Sequence, residues 1–145
     1  MKLVLQRVAN ATVYIEGKTV AKISKGLLIF FGVEKKDNSD KVNYLADKAL
    51  TLRIFQDDKG KMNFSCLDVS AEVLVISQFT LAGDCTKGKR PSFDNAAQPK
   101  EAKFLYRQFI EKVSESGLTV KEGKFGANMQ VEIVNDGPVT FILDR

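Results

Sequence analysis

The sequence predicts an α/β fold. It is expected to be one domain over residues 1–145, with a mixed β-sheet forming a barrel-like core and two main helices on one side, in β/β/α layers. Three observations lead there. Two strongly apolar stretches, GLLIFFGV at 26–33 and EVLVISQF at 72–79, read as central strands. Each is followed by a segment with helical periodicity, and shorter alternating stretches bounded by turn residues open and close the chain. The order is two strands, two strand–helix units and three strands, which argues a mixed sheet covered by helices on one face.

The elements follow in turn. KLVLQRV at 2–8 and ATVYI at 11–15 read as strands, and EGK at 16–18 as a tight turn into a third, short strand. After GLLIFFGV, Asn38-Ser39-Asp40 offers N-cap chemistry, and Val42, Leu45, Ala46, Ala49 and Leu50 recur at helical spacing. Residues 52–71 carry a polar turn, QDDKGKMNFS, between short extended pieces, and EVLVISQF follows. Beyond a loop from Leu81 to Gln98, Pro99 suits the first turn of a helix with apolar positions Ala102, Leu105, Tyr106, Phe109, Ile110 and Val113. Gly117 is placed to end that helix. LTVKE, MQVEIVN and VTFIL read as three closing strands, and no repeat, low-complexity tract or linker divides the chain.

Between the last two lies VNDGP, which admits two readings. Asp136-Gly137 is a two-residue hairpin signal, with Pro138 opening the next strand where its missing N–H does least harm. Alternatively Gly137-Pro138 is a functional surface whose carbonyls face a ligand, with a cis bond kept as a deliberate feature.

Composition narrows the chemistry. With 44% hydrophobic and 28% charged residues the chain reads as a globular protein. The longest apolar run is far too short to cross a bilayer, and MKLVLQRVAN lacks an apolar core followed by a cleavage site. A cytoplasmic location and no membrane partner are expected. Cys66 and Cys85 form no CxxC pair and read as reduced thiols. The chain has no histidine, which removes the commonest general base, the commonest zinc ligand and every Ser-His or Cys-His pair. No GxGxxG or Walker A sequence points to a nucleotide cofactor, so neither cofactor nor metal is expected. The net charge of +4 permits a polyanionic partner without requiring one. Lys87, Lys89 and Arg90 cluster in TKGKRPSF, a loop suited to phosphates or simply to solvent.

Ser77-Gln78-Phe79-Thr80-Leu81 sits where a strand opens into a loop, and offers two hydroxyls, an amide and backbone N–H groups. Those are the parts of an oxyanion hole, which needs fixed donors and no titrating group; the alternative is local capping of a strand end by Ser77 and Thr80. Thr80 as a nucleophile would need activation by a lysine or by the substrate. The carboxylates of QDDKG and VNDGP have no convincing acid–base partner. KFGANM at 124–129 is either a close-approach glycine segment or an ordinary turn.

Taken together, SQFTL at 77–81, KGKRPSF at 87–93, FGANM at 125–129 and NDGPVT at 135–140 resemble the D-aminoacyl-tRNA deacylase family, also called D-tyrosyl-tRNA deacylase. LVLQRV, GLLIFFGV, LRIFQDDKGKMNFSCLDV and the closing strands extend the resemblance over the whole chain. It implies hydrolysis of the ester joining a D-amino acid, or mischarged glycine, to the terminal ribose of tRNA. It also implies a homodimer with pockets at the subunit interface. Carried over, Ser77, Gln78, Phe79 and Thr80 would line the pocket, with Gln78 and the backbone near Phe79 and Thr80 polarising the ester carbonyl. Gly137 and Pro138, joined by a cis bond, would reach into the partner's pocket and present carbonyls to the α-amino group, leaving no room for an L side chain. Arg7 would steady that element, with Asn135 and Thr140 flanking it, and Lys87, Lys89 and Arg90 are the tRNA-phosphate candidates. The family's proton transfers are thought to be assisted by the 2′-hydroxyl of the terminal adenosine, which fits a chain without histidine. Asn128 departs from the family's usual Asp, and Cys85 falls where no fixed residue is expected. The rival is a non-catalytic tRNA- or RNA-binding module, suggested by the basic loop but lacking interleaved aromatics.

Overall fold

The computed structural model describes residues 1–145. Its strands are β1 (Lys2–Ile15), β2 (Lys18–Ile23), β3 (Gly26–Gly32), β4 (Phe55–Gln56), β5 (Met62–Phe64), β6 (Glu72–Ser77), β7 (Val120–Glu122) and β8 (Gln130–Asp144); its helices are α1 (Ser39–Thr51) and α2 (Pro99–Ser114). The main sheet runs β2-β1-β3-β6-β7, with β8 on the other side of β1; β3, β6 and β7 are parallel neighbours and the remaining pairs antiparallel.

One strand organises this sheet. Lys2–Val8 of β1 pair with β3, Ala11–Ile15 pair with β2, and β8 lies along Lys2–Tyr14. The two opening strands expected from sequence are therefore one, because a continuous partner holds both halves of β1 together. β3 and β6 are buried on both faces, so they read as apolar runs rather than alternating ones. Leu27, Ile29, Phe31, Val73 and Val75 belong to the core shared with the helices. Leu28, Leu74 and Ile76 belong to a second cluster with Val8, Val13, Ala21 and Ile23, which closes the barrel-like side. The β/β/α layering follows from these two faces.

Both helices form as their periodicity predicts. The Asn38 side chain accepts from Lys41 N at 3.1 Å, and Val42, Leu45, Ala46, Ala49 and Leu50 are all buried. Pro99 opens α2, which buries Leu105, Tyr106, Phe109 and Val113. The Tyr106 hydroxyl donates to Val75 O at 2.9 Å, pinning the helix to the sheet. No helix is long and apolar enough to cross a membrane.

The Asp136-Gly137 hairpin is absent. Neither residue has positive φ, and MQVEIVN from Gln130 onward and VTFIL are parts of the single strand β8. The ladder explains this: Gln6 faces Thr140 and Val8 faces Asn135, so Arg7 alone spans the stretch opposite Asp136, Gly137, Pro138 and Val139. The segment bulges out of the ladder instead of turning back, because β1 pairs with the chain on both sides of it. Pro138 therefore sits where no ladder N–H is required, and the Gly137–Pro138 bond is cis. Two smaller differences accompany it. LTVKE is strand only over Val120–Glu122, and EVLVISQF ends as a strand at Ser77.

Candidate active site

The end of β6 makes the site. Gln78 N donates to Phe31 O at 2.8 Å, the last link to β3, and the chain then enters a 3-10 turn over Phe79–Ala82. Leu81 N bonds back to Gln78 O at 3.2 Å. Phe79 and Thr80 open this turn, so no carbonyl within it can reach their N–H groups. The turn packs closely on Gly32, where a Cβ would lie 2.7 Å from Leu81 Cβ and 3.0 Å from Gln78 O. The Gln78 amide donates to the Thr80 hydroxyl at 2.5 Å, which orients one group against the other.

Beside the turn lies a cavity of about 400 Å³, within the size range of small-molecule sites. Ser77, Gln78 and Phe79 form one wall, and Phe125, Gly126, Ala127, Asn128 and Met129 form another. The KFGANM segment is thus a pocket wall built on a turn, with Gly126 at φ +76° and Ala127 N bonding Lys124 O at 3.1 Å. The remaining wall comes from Phe31, Ile76 and Val131 of the sheet, from Val33 just past β3, from Ala97 just before α2, and from Pro99 and Ala102 in its first turn. Those residues read from sequence as strand or helix positions, and Ala97 as part of the loop before α2; the signal that could have found them is the run of small residues about Pro99. None of the lining residues is ionisable.

The other singled-out residues lie apart. Thr80 is exposed and stands beside the cavity, tied to it through Gln78. Gly137 and Pro138 are exposed and line no wall of this chain's own pocket. Their segment is anchored by buried Arg7, whose guanidinium donates to Asp136 O at 3.0 Å and Ile54 O at 2.7 Å and pairs with the Asp136 carboxylate at 2.9 Å. On the neighbouring β1 position, the Gln6 amide donates to Thr140 Oγ1 at 3.3 Å and to Asn135 Oδ1 at 3.5 Å. Lys87, Lys89 and Arg90 are exposed on a loop closed by mutual backbone bonds of Asp84 and Ser92 at 2.8 and 2.9 Å. Cys66 is buried and Cys85 exposed.

Residues 4–144 match the family described as D-Tyr-tRNA(Tyr) deacylase. A D-aminoacyl-tRNA deacylase of Thermosipho africanus is 55% identical over 144 residues, covering 99% of this chain and 97% of its own. One of Thermotoga petrophila is 56% identical with the same coverage. Among solved structures, one described as the c-Myc DNA Unwinding Element Binding Protein superposes with a TM-score of 0.94 at 38% identity, covering 100% of this chain and 99% of that one.

Proposed function

The chain belongs to the D-Tyr-tRNA(Tyr) deacylase family and is a hydrolase acting on aminoacyl-tRNA, and we propose that its pocket at the end of β6 selects D-aminoacyl and glycyl esters and rejects L-aminoacyl ones. The observation that carries the mechanistic part of this reading is the absence of any ionisable side chain from the pocket wall. Such a site can hold an ester and stabilise a developing oxyanion through fixed donors, but it has no base of its own. Gln78 and the N–H groups opening the 3-10 turn supply the donors, Ser77 and Thr80 position them, and the 2′-hydroxyl of the terminal adenosine supplies the proton-transfer group.

Chiral selection is assigned to Gly137 and Pro138 of a second copy. Their exposure, their absence from their own chain's pocket wall and the anchorage of their segment by Arg7 support an element built to face outward. Carbonyls directed at the α-amino group can exclude an L side chain while staying indifferent to which D side chain arrives. Relatives named as deacylases over nearly the full chain weigh against the rival of a non-catalytic RNA-binding module.

One experiment tests both parts. Purified protein is incubated with D-Tyr-tRNA, L-Tyr-tRNA and D-Tyr-tRNA ending in 2′-deoxyadenosine. Fast loss of the first ester alone is expected, with Thr80→Ala retaining substantial activity on it. Loss of both D and L esters rejects the chiral reading, and full turnover of the deoxy substrate together with inactivity of Thr80→Ala makes threonine the nucleophile instead.

A further inference from the structure

Two exposed aromatic rings meet beside the pocket. Phe79 and Phe93 have centroids 5.0 Å apart and planes inclined by 59°, and they are 61% and 38% exposed. Phe79 is also part of the pocket wall, so the pair adjoins the cavity. Phe93 packs over Gly83, where a Cβ would lie 2.9 Å from Thr80 O and 3.1 Å from the ring. The chain between these rings is the loop that carries Lys87, Lys89 and Arg90, none of them in an ion pair. Two acids share the segment. The Asp84 carboxylate is occupied by Thr86 N at 2.9 Å, which holds it below the usual carboxylate range, and Asp94 lies just past Phe93.

An aromatic pair beside unpaired cations, continuous with a pocket for the end of a nucleic acid, has the composition of a single-strand stacking site. We propose that Phe79, Phe93 and the 84–92 loop form a second subsite, which takes the unpaired nucleotide immediately 5′ of the terminal adenosine. Its base stacks on the Phe79–Phe93 pair, and its phosphates meet Lys87, Lys89 and Arg90. An apolar or aromatic amino-acid side chain could also use the aromatic faces but not the cations, and an acidic one the cations but not the faces; a nucleotide uses both. The inference rests on the terminal adenosine occupying the pocket described above.

The test compares two substrates, D-tyrosyl-tRNA and D-tyrosyl-adenosine, the latter lacking the nucleotide in question. Phe93→Leu keeps bulk over Gly83 and removes the aromatic face. It is expected to raise KM for the tRNA about tenfold, leave kcat unchanged and leave the adenosine ester unaffected, with Phe93→Trp restoring the wild-type value. Replacing Lys87, Lys89 and Arg90 by alanine should make the dependence of log KM on log salt shallower for the tRNA alone. In an NMR titration, the dinucleotide CpA should shift the Phe93 ring signals, whereas adenosine should shift pocket signals, Phe79 among them, and leave Phe93 unmoved. Equal effects of Phe93→Leu on both substrates, or none on either, overturn the subsite while leaving the pocket reading intact. Failure of the wild-type protein to hydrolyse either ester rejects the pocket reading itself. A change in self-association with Phe93→Leu, with KM unmoved, assigns the pair to contact between copies instead.

Discussion

Arg7 shows how one side chain can hold an irregular piece of backbone. It is 3% exposed, yet each partner of its guanidinium belongs to another segment: the Ile54 and Asp136 carbonyls and the Asp136 carboxylate. Removing the guanidinium leaves a buried carbonyl without a donor and frees the bulge that carries Gly137 and Pro138. Arg7→Ala should cost about 3 kcal/mol in urea unfolding, and Arg7→Lys should recover little, because a single ammonium cannot reproduce the fork. A loss below about 0.5 kcal/mol would mean that the bulge holds itself. Cys66 gives a pH-dependent case. Burial pushes its thiol from an ordinary 9.0 up to about 12. A raised acid is neutral in the folded protein while the unfolded chain ionises, so its stability is intact below pH 9.0 and is lost as pH rises toward about 12, by about 1.4 kcal/mol per unit. Cys66→Ala should flatten that part of the stability profile relative to wild type. A thiol reagent at pH 8 should label Cys85 alone until the protein unfolds.

At the scale of elements, the contact between β3 and the 3-10 turn decides where the donors of the site stand. Gly32 lies under Leu81 Cβ and Gln78 O, and neither is the free end of a flexible chain. Gly32→Ala must therefore push the turn off the strand, and it is expected to cost about 1–3 kcal/mol in stability and at least tenfold in kcat. Normal kcat in a destabilised variant would show that the turn's position is not what sets the rate. Helices and central strands were legible because their signals are local: the Asn38 cap, Pro99 at the first turn of α2, and apolar positions that bury as their spacing requires. VNDGP misled for the same reason. Its turn chemistry is genuine, but a hairpin needs its two arms to pair with each other, and here both pair with β1.

At the scale of the molecule, the two ends of the chain meet. The Met1 ammonium sits 2.8 Å from Asp37, 3.1 Å from Glu34 and 3.0 Å from Arg145 O. Burial pushes the Glu34 carboxyl up, but Lys2 and the Met1 ammonium outweigh it and hold the group below its usual range. That contribution is present above the ordinary carboxyl range and is lost as pH falls through the lowered value. β8, which closes the chain, pairs on one side only, with β1, and exposes Val134, Phe141 and Ile142, the last at 71%. An unpaired edge with apolar side chains is the surface a second copy would cover. Ile142→Glu should shift sedimentation toward monomer and lower D-Tyr-tRNA turnover in parallel, whereas a fully active monomer would reject the two-subunit site. The sequence by itself determined the helices, the apolar central strands, the lack of a histidine-based mechanism, and the candidate stretches Ser77–Thr80 and FGANM, because periodicity, capping and residue chemistry are written locally. Only the tertiary structure decided that β1 and β8 are single long strands, that Gly137 and Pro138 ride on a bulge, that Phe31, Val33, Ala97 and Ala102 line the cavity as well as packing in or against the core, and that Phe79 meets Phe93. Each of those depends on which distant segments become neighbours, and β1, by pairing with three strands at once, sets that choice.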